Sequence, residues 1–374
     1  MAEWTIKKLN EIAEFNPKES ISKGSIAKKI PMDKLQPFCR DIPGYIMEKF
    51  SGGTKFRNGD TIMARITPCL ENGKTSLVNI LDENEVGFGS TEYIVFRAKD
   101  QIDKDFLYYL VCSSQVRVPA IKSMVGSSGR QRVQVDVVHN LEINIPDYET
   151  QKRIGGCLKL LDDKIKTNVE INNNLEEQVS TLYQAWFEDY INSDGIQPDT
   201  WSLVTLSDIA EVNSGKRPPM KSAQQTDEAQ IPLVGAASVM GFTSKANHSE
   251  KILVTGRVGT HGVIQRFNSP CWTSDNTLVI TSMYYEYVGQ ILKRIDYSSM
   301  NRGSTQPLIT QGDMNKVTVL LPDSNTLNEF EKLAGTLMEK HQANVEENIH
   351  LAMLRDTLLP KLMSGELDVS DINI

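Results

Sequence analysis

The chain has 374 residues, 40% hydrophobic and 24% charged, a balance that predicts two or three folded domains and excludes disorder throughout. Its formal net charge of −8 excludes a uniformly cationic protein that coats nucleic acid. No run of about 18 apolar residues occurs, and no apolar signal core follows Met1, so a cytoplasmic protein with no membrane partner is expected.

The acid is unevenly placed. Residues 1–147 carry a net +1, 148–195 a net −4, 196–323 a net of zero and 324–374 a net −5. The two long segments are therefore neutral and free to present a basic face. Five cysteines (Cys39, Cys69, Cys112, Cys157, Cys271) are odd in number and form no C-x-x-C pair. Neither a zinc site nor a disulfide framework is expected, which fits a reducing compartment.

Residues 1–147 mix short strand-like runs, such as Glu92-Tyr-Ile-Val-Phe96, with Gly and Pro punctuation at Gly52, Gly53 and Pro68. A helical pattern lies at 106–110. This is an α/β (α+β) globule. From Ile154 the positions 154, 158, 161, 165, 168, 172, 175, 179, 182 and 186 alternate by four and three, a heptad seam over residues 148–195. Pro146 stops the helix from extending backward. Residues 196–323 form a second α/β globule, with a strand at Asn276-Thr-Leu-Val-Ile280. A second seam runs through 330, 334, 337, 341, 344, 348, 351, 355, 358 and 362, within residues 324–374. Pro322 precedes it, and Pro360 is expected to kink or end it.

The second half repeats the first. Trp4 through Asn16 recurs as Trp201 through Asn213, and Asp60-Thr-Ile-Met-Ala-Arg65 as Ile252-Leu-Val-Thr-Gly-Arg257. Gly126-Ser-Ser-Gly-Arg-Gln131 returns as Gly303-Ser-Thr-Gln306, and Ile143 through Asp147 as Val319 through Asp323. Asn168-Val-Glu-Ile-Asn172 matches Asn344-Val-Glu-Glu-Asn348. Ordered matches of this kind mark an internal duplication. A polar Asn at a seam position costs stability but fixes register. Antiparallel pairing of the helices would bring Asn168 to Asn348 and Asn172 to Asn344. A span of 33 residues is about 50 Å of helix, so two pseudo-twofold-related globules would sit at the ends of a rod. Such a spacing suits two half-sites on one duplex.

In this order of parts the sequence resembles the specificity (S) subunits of type I restriction–modification systems. The resemblance covers essentially the whole chain. It is carried by Trp201-Ser-Leu-Val-Thr-Leu-Ser-Asp-Ile-Ala-Glu-Val, by Gln178-Val-Ser-Thr-Leu-Tyr-Gln-Ala-Trp186-Phe187, and most specifically by Leu358-Leu-Pro-Lys-Leu-Met-Ser-Gly365-Glu-Leu. It implies two DNA target recognition domains, 1–147 and 196–323, separated by two conserved spacer helices, 148–195 and 324–374, that form an antiparallel coiled coil. Each domain would read half of a bipartite, asymmetric site on double-stranded DNA. The helices would set the spacing and dock two methyltransferase (M) subunits for adenine-N6 methylation, and restriction (R) subunits would complete the nuclease. S-adenosylmethionine, ATP and Mg2+ would belong to those partners, with no cofactor or metal on this chain.

The residues themselves give no sign of catalysis. An adenine-methylase Pro-Pro-Tyr/Phe motif is missing, and Arg217-Pro218-Pro219-Met220 holds the one Pro-Pro. Gly73-Lys74-Thr75 imitates a P-loop end, but Pro68 stands where a glycine is needed. Asp147 with Asp162, Asp163 and Lys164 imitates a nuclease pattern, but the last three lie on the seam helix and read as a solvated charge run. His341 reads as a half-buried polar layer.

Arg suits guanine, Asn and Gln suit adenine, and Lys, Arg, Ser and Thr suit phosphates. The candidate DNA contacts are therefore Arg130, Gln131 and Arg132, matched by Asn301, Arg302, Ser304, Thr305 and Gln306. A second set is Arg65, Thr67 and Lys74, matched by Arg257, Thr260, His261 and Arg266. Lys216 and Arg217 are weaker candidates. The candidate M-subunit interface is Tyr183, Trp186 and Phe187 late on the first helix, and Leu359, Leu362 and Met363 on the second. The other reading is a coiled-coil structural adaptor with two protein-binding globules. Salt separates the two, since DNA binding falls steeply as salt is added.

Overall fold

The structure, a computed structural model, describes residues 4–300 and 308–369. The chain divides into two compact units: Met1–Glu170 with Asn344–Ile374, and Ile171–Ala343. Two long helices, Tyr148–Phe187 and Ser324–Ser364, each contribute one part to each unit.

In the first unit, Trp4–Lys8 pairs antiparallel with Glu142–Pro146, the strand that leads into the first long helix. A four-stranded antiparallel sheet follows the order Ala13–Phe15, Tyr93–Ala98, Thr61–Ala64, Thr75–Leu77. A second sheet runs Ile46–Lys49, Ile26–Ile30, Gly87–Gly89, Thr54–Phe56. The helix Lys104–Cys112 presents Phe106, Leu107, Tyr109 and Leu110 to the core, where Ile154 and Leu158 of the long helix also lie.

The second unit repeats this connectivity. Ser202–Thr205 pairs with Thr318–Leu321, the strand before the second long helix. Glu211–Ser214, Thr277–Thr281, Ile252–Gly256 and Gln265–Phe267 form the matching antiparallel sheet. Val239–Thr243, Ile231–Val234 and Trp272–Thr273 make the smaller sheet. The duplication read from the sequence is thus a duplication of topology, with helices packed against mostly antiparallel sheets.

Both long helices start through the same device. Asp147 accepts from the Thr150 amide and hydroxyl at 3.0 and 2.9 Å, and Asp323 from those of Thr326 at 3.0 and 2.8 Å. Side-chain acceptors here satisfy amides that the first helical turn leaves without partners. Asp147 is therefore a helix cap, with no part in a nuclease-like cluster. The second helix does not end at Pro360. It runs through to Ser364 and closes at Gly365, whose φ of +75° a residue with Cβ would adopt only under strain. Pro360 denies the helix one bond, to the Asp356 carbonyl, and the burial of Leu362 and Met363 in the core holds the last turn in place.

None of the twenty predicted seam positions is exposed. In the first unit Asn168 donates to Asn348 Oδ1 at 2.9 Å and to Glu347 at 2.7 Å, as antiparallel pairing requires. In the second, Asn172 donates to the His341 carbonyl at 3.2 Å, and Glu176 meets the His341 ring at 3.2 Å. Asn344 is buried.

One reading of this helix needs correction. Asp162 is no solvated charge. It is 5% exposed, accepts from Tyr109 Oη at 2.6 Å and pairs with Arg355 at 2.7 Å, both within the first unit. Arg40 lies beside it, paired with Asp105 at 2.6 Å. A sequence pattern shows the face of a helix but not the arginine that a distant segment brings to it.

Candidate nucleic-acid interface

Strand Thr61–Ala64 ends at Arg65, whose amide donates to the Glu92 carbonyl at 2.9 Å and whose carbonyl accepts from Val133 at 2.8 Å. The Thr67 amide donates to the Gln131 carbonyl at 3.0 Å, and Ile66 bridges to Arg132. The two candidate sets of the first domain, far apart in sequence, are therefore one surface. Gly126 turns the loop with a φ of +134°, and a Cβ there would press on the Arg130 carbonyl. Arg130 is exposed and Gln131 half-buried.

Glu92, which the candidate set omitted, organises this surface. Arg132 grips it with Nε at 2.9 and 3.0 Å and Nη2 at 2.7 Å. Arg65 Nε stands 3.9 Å from the same carboxylate, too far for a hydrogen bond. The Arg132 contact holds the Glu92 carboxyl below its ordinary range and keeps it ionised. Arg65 Nε and Thr67 Oγ1 are buried with no hydrogen-bond partner in the protein. Lys74 is already used: its Nζ donates to the Met32 carbonyl at 2.9 Å, which ties two loops together.

The second unit builds the same frame. Strand Ile252–Gly256 ends at Arg257, whose amide donates to the Asn276 carbonyl at 2.8 Å and whose carbonyl accepts from Ile309 at 3.0 Å. Val258 bridges to Leu308. Arg65 and Arg257 thus occupy one position of the repeat, as do Glu92 and Asn276. The signal was present in the sequence, because Glu92 and Asn276 each open one of the strand-like runs read there, Glu92–Phe96 and Asn276–Ile280. Arg257 Nε is buried without a partner, and among the described residues no carboxylate pairs with it. His261 Nδ1 meets the Gly256 carbonyl at 3.0 Å while its Nε2 has no protein partner, and Thr260 beside it is exposed.

The remaining candidates fall in different places. Arg266 belongs to the fold: it pairs with buried Glu286 at 2.5 Å and stacks on Tyr285 at 4.7 Å. Lys216 and Arg217 are exposed. Arg217 lines a cleft of about 500 Å³ together with Asn276, Ser274, Met220 and Met240. Asn301, Arg302, Ser304, Thr305 and Gln306 lie outside the described residues.

The helix-end aromatics are core rather than free surface. Tyr183 and Phe187 are buried against Tyr287 and Phe330, with ring centroids 4.8–6.1 Å apart. Trp186 is half-buried against Phe330. Leu362 and Met363 are buried in the first unit, and Leu359 is half-buried at its edge. The helix ends sink into the globules, which consumes their apolar side chains. The exposed apolar residues of the long helices lie elsewhere: Leu160, Val169, Ile349, Met353 and Leu354 in the first unit, and Ile171 and Leu333 in the second. Among the described residues there is no His, Cys, Asp or Glu cluster able to hold a metal, and no helix long and apolar enough to cross a membrane.

The type I restriction modification DNA specificity domain matches residues 1–177 and again 198–347. The chain belongs to this family. It is 25% identical to the MjaIX specificity subunit of Methanocaldococcus jannaschii, over 73% of this chain and 71% of that one. It is 24% identical to the HindI specificity subunit of Haemophilus influenzae, over 88% and 89%. The S subunit crystal structure from M. genitalium shares the fold, with a TM-score of 0.59 over 96% of both chains at 18% identity. The name these relatives carry is that of a specificity subunit, not of a catalytic one.

Proposed function

We propose that this chain supplies the DNA sequence specificity of a type I restriction–modification complex without being a catalyst itself. Residues 1–147 and 196–323 are the two target recognition domains, each reading half of a bipartite, asymmetric site. Residues 148–195 and 324–374 are the spacer helices, which dock two M subunits. The exposed apolar side chains along these helices favour that docking, because surface of this kind is costly to leave in water. R subunits join the complex, and S-adenosylmethionine, ATP and Mg2+ act on the partner subunits.

One observation carries this reading. The same backbone frame occurs twice, each time presenting an arginine with a buried unpartnered Nε, while the side chains around it differ. A repeated frame gives two equivalent contacts to a duplex, and different surroundings let the two halves read different bases. Mapping N6-methyladenine in the host genome, with the gene intact and deleted, tests it. Loss of methylation at one motif with a fixed internal gap is expected. An unchanged map together with failure to co-purify with a methyltransferase would favour the adaptor reading.

A further inference from the structure

Arg65 and Arg257 are equivalent, but their neighbours are not. In the first unit, Glu92 accepts from Arg132 through both carboxylate oxygens. In the second, Asn276 replaces Glu92 and Leu308 replaces Arg132 across the same bridge. Among the described residues, the carboxylate clamp of one repeat is thus absent from the other.

The consequence follows from donor counting. An arginine has five N–H donors. Glu92 occupies the edge formed by Nε and Nη2, which leaves the Nη1/Nη2 edge free and pointed by a fixed partner. The Arg132 side chain is 46% exposed, so that edge is accessible. Two parallel N–H donors match O6 and N7 of guanine. In the second unit no charged clamp stands at this place among the described residues. The exposed Asn276 amide, with one donor and one acceptor group, borders the cleft lined by Arg217. An amide matches N6 and N7 of adenine.

We propose that the position shared by Glu92 and Asn276 sets the difference in base preference between the two halves. Glu92 acts as a positioning residue that aims Arg132 at a guanine, and Asn276 is itself a reader of adenine. This rests on the proposed reading of the chain as a DNA specificity subunit.

The test selects from a pool of duplexes, randomised in both half-sites, with the full chain co-expressed with its partner subunits. Wild type is compared with Glu92→Asn, Arg132→Ala and Asn276→Ala. Thermal denaturation confirms folding, and exposed Asn276 gives a variant that does not depend on the clamp. Glu92→Asn and Arg132→Ala are expected to lower the preference for one guanine about tenfold or more in one half-site, leaving the other half unchanged. Asn276→Ala is expected to lower the preference for one adenine in the other half. A purely structural role would weaken all sites equally and overturn the proposal. So would folded variants that select the wild-type motif, which leaves the specificity reading intact. A wild-type complex that selects no motif overturns both.

Discussion

The buried pair between Asp162 and Arg355 offers a test that the repeat itself designs. The alignment that equates Asn168 with Asn344 equates Asp162 with Met338 and Arg355 with Val179. Met338 and Val179 are both buried in the second unit's core, so the two units fill one site with opposite chemistry. Burial dominates at Asp162 and raises its pKa despite Arg355 and Tyr109, so ionisation is harder there than in water. Arg355→Val leaves that carboxylate with the Tyr109 hydroxyl and with Arg40, whose guanidinium is already paired with Asp105, a loss of about 3–5 kcal/mol. For a unit of this size the melting transition falls by roughly 10 °C. Adding Asp162→Met removes the stranded charge but leaves the Tyr109 hydroxyl buried, a residual cost of about 1–3 kcal/mol. Adding Tyr109→Phe completes the apolar solution, and the triple variant is expected to match or exceed wild type. Urea denaturation followed by circular dichroism ranks the four proteins. A triple variant as unstable as Arg355→Val would refute the reasoning, because the loss would then come from packing geometry rather than from a stranded charge.

Other outcomes follow from the same geometry. Burial raises the Glu331 carboxyl to about 7, although it accepts from the Glu286 and Tyr287 amides at 3.1 and 2.8 Å. A carboxyl raised on folding holds its proton more tightly when folded, so stability is greatest below about pH 4.5 for this group and falls as pH rises toward 7. The difference is at most roughly 3 kcal/mol. Glu331→Gln should flatten the dependence of melting temperature on pH across that window, and an unchanged slope would count against it. The Asn168–Asn348 layer should be held at a cost, because Asn168 Oδ1 is buried without a partner. Replacing both by leucine is expected to raise stability by about 1 kcal/mol, and a lower denaturation midpoint would argue otherwise. Arg257→Ala should weaken DNA binding and reduce the salt dependence by about one counterion if the arginine meets a phosphate. An unchanged affinity and slope in a filter-binding titration would remove Arg257 from the interface.

The linear order of residues was enough to define the repeat, the two seams and the prolines, Pro146 and Pro322, that precede the two long helices. These are local or periodic features: a heptad shows which face of a helix is buried, and a proline shows where a helix can extend no further backward, whereas the caps at Asp147 and Asp323 emerged only from the fold. Arg65 and Arg257 were also visible, because each closes a strand that recurs in both halves. What lay beyond reach was every pairing between distant segments. Glu92 became important only when the fold set it against Arg132, forty positions away. Asp162 looked like solvated charge until Arg355 was packed against it, and Arg266 looked like a DNA contact until Glu286 claimed it. The aromatic helix ends resembled a docking surface because hydrophobicity is a property of a residue, whereas the choice between core and interface is made by what packs upon it. The sequence alone determined the plan of the molecule. Tertiary structure decided which charges and apolar side chains remain free, since a buried group keeps its charge or its place only through partners that folding brings to it.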